Sequence, residues 1–178
     1  QGIAKVRVAN SLKYDIAFSG FAFSANVGEA PAGAPDRPYS LAASYGTGPF
    51  WVGISHEDPE GANDDITSIG ARFKAGPALL SAAYSTGTQN TLNRKAKGYL
   101  LGANITVGSG DIKLGLASFK LDGSQVGLAG TALAEKRKIG LGYHHNLSKR
   151  TKVYVDYARD SKVATEKSGY DLGIQHNF

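Results

Sequence analysis

The chain contains no cysteine among its 178 residues, which excludes disulfides, thiolate nucleophiles and sulfur-ligated metals. That absence suits an oxidising envelope compartment. No apolar run approaches the roughly 18 residues of a membrane-crossing helix, and mean hydropathy is only -0.23. Membrane strands are a different matter, because each averages a polar and an apolar face and hydropathy does not register them. No charged and apolar N-terminal segment precedes a cleavage site, so a signal peptide is expected to be absent from this chain or already removed. Nothing marks a linker, and the length suits one large domain or two small ones. Lys and Arg are not bunched in a run. A net charge of +5 and a pI near 9.3 therefore favour anionic partners without naming one.

What the chain has in abundance is two-residue alternation, with no long stretch at helical spacing. Eleven strands are expected. The first, roughly Val6 to Phe18, sets Val8, Leu12, Tyr14 and Ile16 against Arg7, Ser11, Lys13 and Asp15. A short "FSG" turn leads to Phe21, Phe23, Ala25 and Val27 on one face, followed by the longer loop "GEAPAGAPDRP". This rhythm of short turn, strand, long polar loop and strand persists, with "TGTQNTLNRKAKG" expected as a basic loop. The last segment, "SGYDLGIQHNF", places Tyr170, Leu172, Ile174, His176 and Phe178 on one side of a strand held to its final residue. Free chain ends usually fray into water, so an apolar ending implies an apolar surrounding.

Two features orient the faces. The side opposite the apolar one is rich in Gly, Ala, Ser and Asn, too small to fill a tight soluble barrel or knit two sheets together. Aromatics on the apolar side also fall at two heights. Phe18, Phe21, Tyr45, Phe50, Phe73, Tyr143 and Phe178 lie near the short turns; Tyr39, Tyr84, Tyr99, Tyr157 and Tyr170 lie about eight residues further on. At about 3.3 Å per residue and a tilt near 40°, the separation is on the order of 20 Å, close to the apolar band of a membrane barrel between its aromatic girdles. The expected fold is all-β, an antiparallel transmembrane barrel wall with lipid outside and water inside. An odd strand count is awkward, because the first and last strands both run toward the short-turn rim and cannot close an antiparallel barrel on each other.

The stretches "NSLKYDIAFSGFAFSANVGE" and "KIGLGYHHNLSKRTKVYVDYARD", with the terminal "GYDLGIQHNF", resemble the C-terminal part of a Gram-negative general porin, most like the betaproteobacterial type. The likeness covers essentially the whole chain. It implies a sixteen-stranded barrel of which residues 1–178 form a single portion, about eleven strands, with five N-terminal strands and an inward-folded third loop absent. It further implies a homotrimer in the Gram-negative outer membrane, in contact with lipid and lipopolysaccharide. Assembly machinery would read the terminal strand carrying Tyr170, Leu172, Ile174 and Phe178.

The water-facing side carries Arg7, Lys13, Arg72, Lys74, Lys113, Lys138 and Lys152 against Asp15, Glu57, Asp156 and Asp171. An excess of bases in a narrow channel with low-dielectric walls concentrates small anions within a Debye length of about 10 Å at 0.1 M salt. Arg7, Lys13 and Arg72 are expected furthest inside, on the basic wall that in related porins faces the third loop. Lys113 and Lys152 are expected nearer the short-turn mouth. The plainer reading is that several of these pair with Asp15 or Asp156, or merely solvate the wall.

Other chemistry is thin. His144 and His145 are adjacent on a strand and face opposite sides, so they cannot chelate one metal. Asp58, Glu60, Asp64 and Asp65 in "EDPEGANDD" could hold a divalent cation bridging lipopolysaccharide phosphates, but a solvated acidic loop is the favoured reading, since the spacing fits no EF-hand. Arg94, Lys95 and Lys97 in "NRKAK" could meet the same phosphates or only water. No cofactor and no catalytic residue is expected. A barrel enzyme of lipase or protease type would need Ser, His and acid together, and inward His144 shows no evident Ser or Asp companion. A soluble basic β-protein binding nucleic acid would leave the two aromatic heights unexplained.

Overall fold

The computed structural model describes residues 8, 10–30, 32–34, 36–59, 64–89, 94–123 and 135–178. Alternating side chains and tight turns give one sheet of eleven strands: β1 (Ser11–Phe18), β2 (Phe21–Gly28), β3 (Tyr39–Thr47), β4 (Phe50–Asp58), β5 (Asp65–Ala75), β6 (Ala78–Gln89), β7 (Arg94–Val107), β8 (Gly110–Gly123), β9 (Glu135–Asn146), β10 (Thr151–Asp160) and β11 (Ser168–His176). Each strand pairs antiparallel with its neighbours in the sequence, so the topology is a simple meander. Among the described residues the sheet does not close. β1 and β11 are its edges, and both run toward the short-turn rim.

The short turns follow from local conformation. Ser19 and Gly20 both have positive φ, 47° and 84°, the pair that a two-residue hairpin turn matched to strand twist requires. A side chain at Gly20 would also meet the Gly46 carbonyl oxygen at 2.5 Å, so the turn can dock on β3, where the Gly46 amide donates to the Gly20 carbonyl at 2.8 Å. Asn10, at φ 47°, stands immediately before β1. Strand pairing therefore starts at Ser11 in the described part of the chain, later than the Val6 expected from alternation; Arg7 lies outside the described residues.

The expected basic loop is corrected in one respect. Arg94 to Gly98 belong to β7 and Thr86 to Gln89 to β6, paired from Thr86 opposite Lys97 to Gln89 opposite Arg94. Polar composition hides strand here because, beyond the tyrosines, both faces of the hairpin meet water and alternation loses its contrast.

Apart from Pro38 and Pro59 in the loops, no apolar side chain is buried among the described residues. Leu101, Leu114, Val155 and Ile174 are 45%, 45%, 48% and 66% exposed, so they form a continuous outer coat rather than a dry centre. In a water-soluble fold such a coat would be untenable; it is the surface that lipid covers. Among the described residues no helix is long and apolar enough to cross a membrane, which says nothing about strands. Both aromatic heights are present. On the short-turn side Phe21 packs on Tyr45 at 4.5 Å and Phe50 on Phe73 at 4.6 Å; on the other, Tyr157 packs on Tyr170 at 5.1 Å, and Tyr84 pairs across from Tyr99. At the end of the chain the Asn177 amide donates to the Arg150 carbonyl at 2.9 Å and Phe178 meets His176 edge-on at 4.9 Å.

Candidate functional site

Register transfers one face across the whole sheet. Starting from Leu12 opposite Val27, apolar positions stay opposite apolar positions through to Val155 opposite Leu172. The other face is then common property of all strands. Lys13, Asp15, Glu57, Arg72, Lys74, Lys113, Lys138, Lys152, Asp156 and Asp171 all fall on it, as expected from parity. So do residues that were overlooked, Trp51, Asp111, Lys136, Tyr154 and Asp160, and so does Arg94, which was expected beside Lys95 and Lys97 in the basic loop and is corrected to the inner face by its place on β7. Asn26, Arg94, Asn104 and His144 each hold a buried polar atom with no protein partner, and all four lie on this side. Such atoms would cost several kcal/mol against lipid.

The charges sort into pairs and single groups; among the described residues the acids Asp111, Asp160 and Asp171 stand in no ion pair, and more cations do the same. Lys13 pairs with Asp15, two residues along the same strand face, at 3.0 Å; this is the plainer reading of Lys13. Arg72 takes a different partner, the ring of Trp51, with its guanidinium carbon 4.6 Å from the ring centroid. The two are register partners on β4 and β5. Lys13 and Arg72 are not level: pairing carries Lys13 across β2 to β4 to Ile66 of β5, six residues before Arg72. Both stretches still border one trough of about 720 Å³, lined by Asp15 and Arg72 together with small residues such as Ala42, Ser44, Gly53 and Ser81.

Nearer the short turns, one register row aligns Lys74, Leu79, Asn104, Lys113, Gly142, Asp156 and Asp171. Here the expectation for His144 is corrected. Its Nε2 lies 3.1 Å from both carboxylate oxygens of Asp156, and its ring stacks on Tyr154 at 5.3 Å. The companion was missed because His144 and Asp156 are twelve residues apart on different strands and meet only through register. No serine hydroxyl bonds His144 among the described residues. His145 points outward, against Tyr143.

On the outer face, Lys95 and Lys97 stand beyond the tyrosines, Lys97 opposite Lys120, and Lys120 pairs with Asp122 at 2.8 Å. Glu60 of the acidic loop lies outside the described residues; Asp58 ends β4, while Asp64 precedes and Asp65 begins β5. Among the described residues no group of three or more His, Asp or Glu is placed to hold a metal ion.

Strand order, an apolar coat with two aromatic levels and a charged, small-residue inner face together define a transmembrane β-barrel wall. Residues 3–165 match the family model of the Gram-negative porins, and the chain belongs to that family. Its place is the Gram-negative outer membrane. Among solved structures it is similar to a porin refined at 1.8 Å resolution (18% identity, TM-score 0.75, covering 94% of this chain and 61% of that one). It is similar to the anion-selective porin from Comamonas acidovorans (23%, 0.68, 96% and 60%) and to Salmonella typhi OmpF in complex with daunomycin (16%, 0.72, 95% and 62%). The chain thus spans about six tenths of the length of the solved structures it matches. No curated protein matches it.

Proposed function

We propose that the complete protein is a passive outer-membrane channel for small hydrophilic solutes that favours anions, with no chemical step. The observation that carries this is the sorting of charge on the inner face. Arg72, Lys74, Lys113, Lys138 and Lys152 take part in no ion pair among the described residues, whereas of the facing acids Asp15 is engaged by Lys13 and Asp156 by His144 and Asp171 is in none, so that unpaired cations outnumber unpaired acids. Unpaired cations on a low-dielectric wall leave a positive potential in the lumen. The likeness to an anion-selective porin supports the same sign.

In the complete barrel the edges of β1 and β11 would pair with five further strands, and three copies would associate. Arg72, with Arg7 and Lys13 toward the long-loop end, would form the basic side of the constriction. Lys95 and Lys97 would meet lipopolysaccharide phosphates above the tyrosine level. Transport needs no cofactor; a divalent cation held by Asp58, Glu60, Asp64 and Asp65 would bridge those same phosphates. The terminal strand, with Tyr170, Leu172, Ile174 and Phe178, would be the segment read during assembly.

Reversal potential across a planar bilayer in a KCl gradient tests the reading. We expect the sign of an anion-permeable pore near 0.1 M salt, weakening toward 1 M as the Debye length falls from about 10 to about 3 Å. A cation-selective sign would overturn it.

A further inference from the structure

Trp51 is out of keeping with its surroundings. It is the single tryptophan of the chain, and it stands on the inner face of a wall made mostly of Gly, Ala and Ser. Its ring is laid flat along that wall. A side chain added at Gly53 would come within 2.8 Å of the indole, and one at Gly46 within 3.3 Å. Both positions therefore leave room for the ring. On it rests the Arg72 guanidinium, 4.6 Å from the centroid, in no ion pair among the described residues. The indole occupies one face of the guanidinium, and the N–H donors around its rim are left for another acceptor.

We infer that Trp51 and Arg72 form a binding subsite for organic monocarboxylates with a flat apolar body. The inference rests on the proposed pore only in taking this face as the lumen. A carboxylate matches the guanidinium edge and accepts two parallel N–H bonds. The remainder of the solute finds the half-buried indole and the small-residue floor of the trough, at Ala42. Inorganic phosphate would bring more charge and more acceptors than one guanidinium satisfies, and would gain nothing from the floor. Trp51 acts here as a positioning residue that restrains a cation otherwise free on a long stem.

The test uses the complete protein folded in detergent, read as intrinsic fluorescence with the Trp51→Phe variant as blank, so that the signal belongs to Trp51. Benzoate should change it saturably. Benzamide, which keeps the ring without the charge, and inorganic phosphate should each need at least about tenfold higher concentration, as should benzoate with Arg72→Gln. Arg72→Lys should lose at least about threefold despite its retained charge. Equal responses to benzoate and benzamide, or an unchanged Arg72→Gln titration, would sink the subsite. So would phosphate binding as tightly as benzoate, which would make Arg72 a plain anion site. Conductance in the same preparation separates the two ideas: a conducting channel blind to benzoate overturns the subsite alone, and saturable benzoate binding upholds the subsite even where conductance contradicts the pore.

Discussion

The inner faces of β3–β6 and β8–β11 are built from the same alternation, yet they hold their charges differently. On β5 the cation is an arginine laid on an aromatic ring above glycines. On β8 to β10, Lys113, Lys138 and Lys152 stand among Gly115, Gly140 and Gly142 in no ion pair among the described residues, with Asp160 opposite Lys138 and with Asp156 tied to His144. A restrained guanidinium presents its charge and donors at one place, whereas an ammonium on a four-carbon stem spreads its effect over the mouth. The comparison teaches that parity alone settles which residues reach the water, and neighbours settle how sharply each is felt.

The largest effect comes from putting one charge behind the mouth wall instead of in front of it. Leu114 faces outward at mid-height and is 45% exposed; Gly115, the next residue, faces inward with open space where a side chain would begin. Leu114→Arg should cost about 2–4 kcal/mol in urea unfolding from lipid vesicles, and Gly115→Arg less than about 1 kcal/mol. Comparable costs would show that the two faces have been assigned wrongly. Next in size is the contrast between regions. Arg72→Gln should lower the anion-to-cation permeability ratio at least about twofold near 0.1 M salt, and Lys113→Gln by less than half as much. The reverse ranking would remove the restrained arginine from selectivity. Smallest is Asp156→Asn, which should raise the ratio by less than about 1.5-fold, because His144 already engages that carboxylate. A rise as large as the Arg72→Gln fall would show that the mouth, and not the trough, governs permeation.

Much of this architecture is legible without coordinates, and the places where it is not have a common cause. Parity assigned Lys74, Lys113 and Lys152 to the inner face because a strand offers a side chain only two directions. It failed at Arg94, where polar residues on both faces erase the contrast that marks a strand. It also passed over Trp51, although the "WVG" that opens β4 places that ring on the same face as Gly53; the missing element was Arg72, twenty-one residues away and brought opposite only by β4–β5 pairing.

The alternation of greasy and wet residues by itself determined that this chain forms strands coated by lipid on one side and washed by water on the other, since burial of the wrong face in either solvent costs too much. Register alone decided which inward groups touch: Lys13 with Asp15 follows from spacing on one strand, but His144 with Asp156 and Arg72 on Trp51 require two strands to align. Pairing register depends on turn geometry and on the summed fit of whole faces. That sum is a property of the sheet.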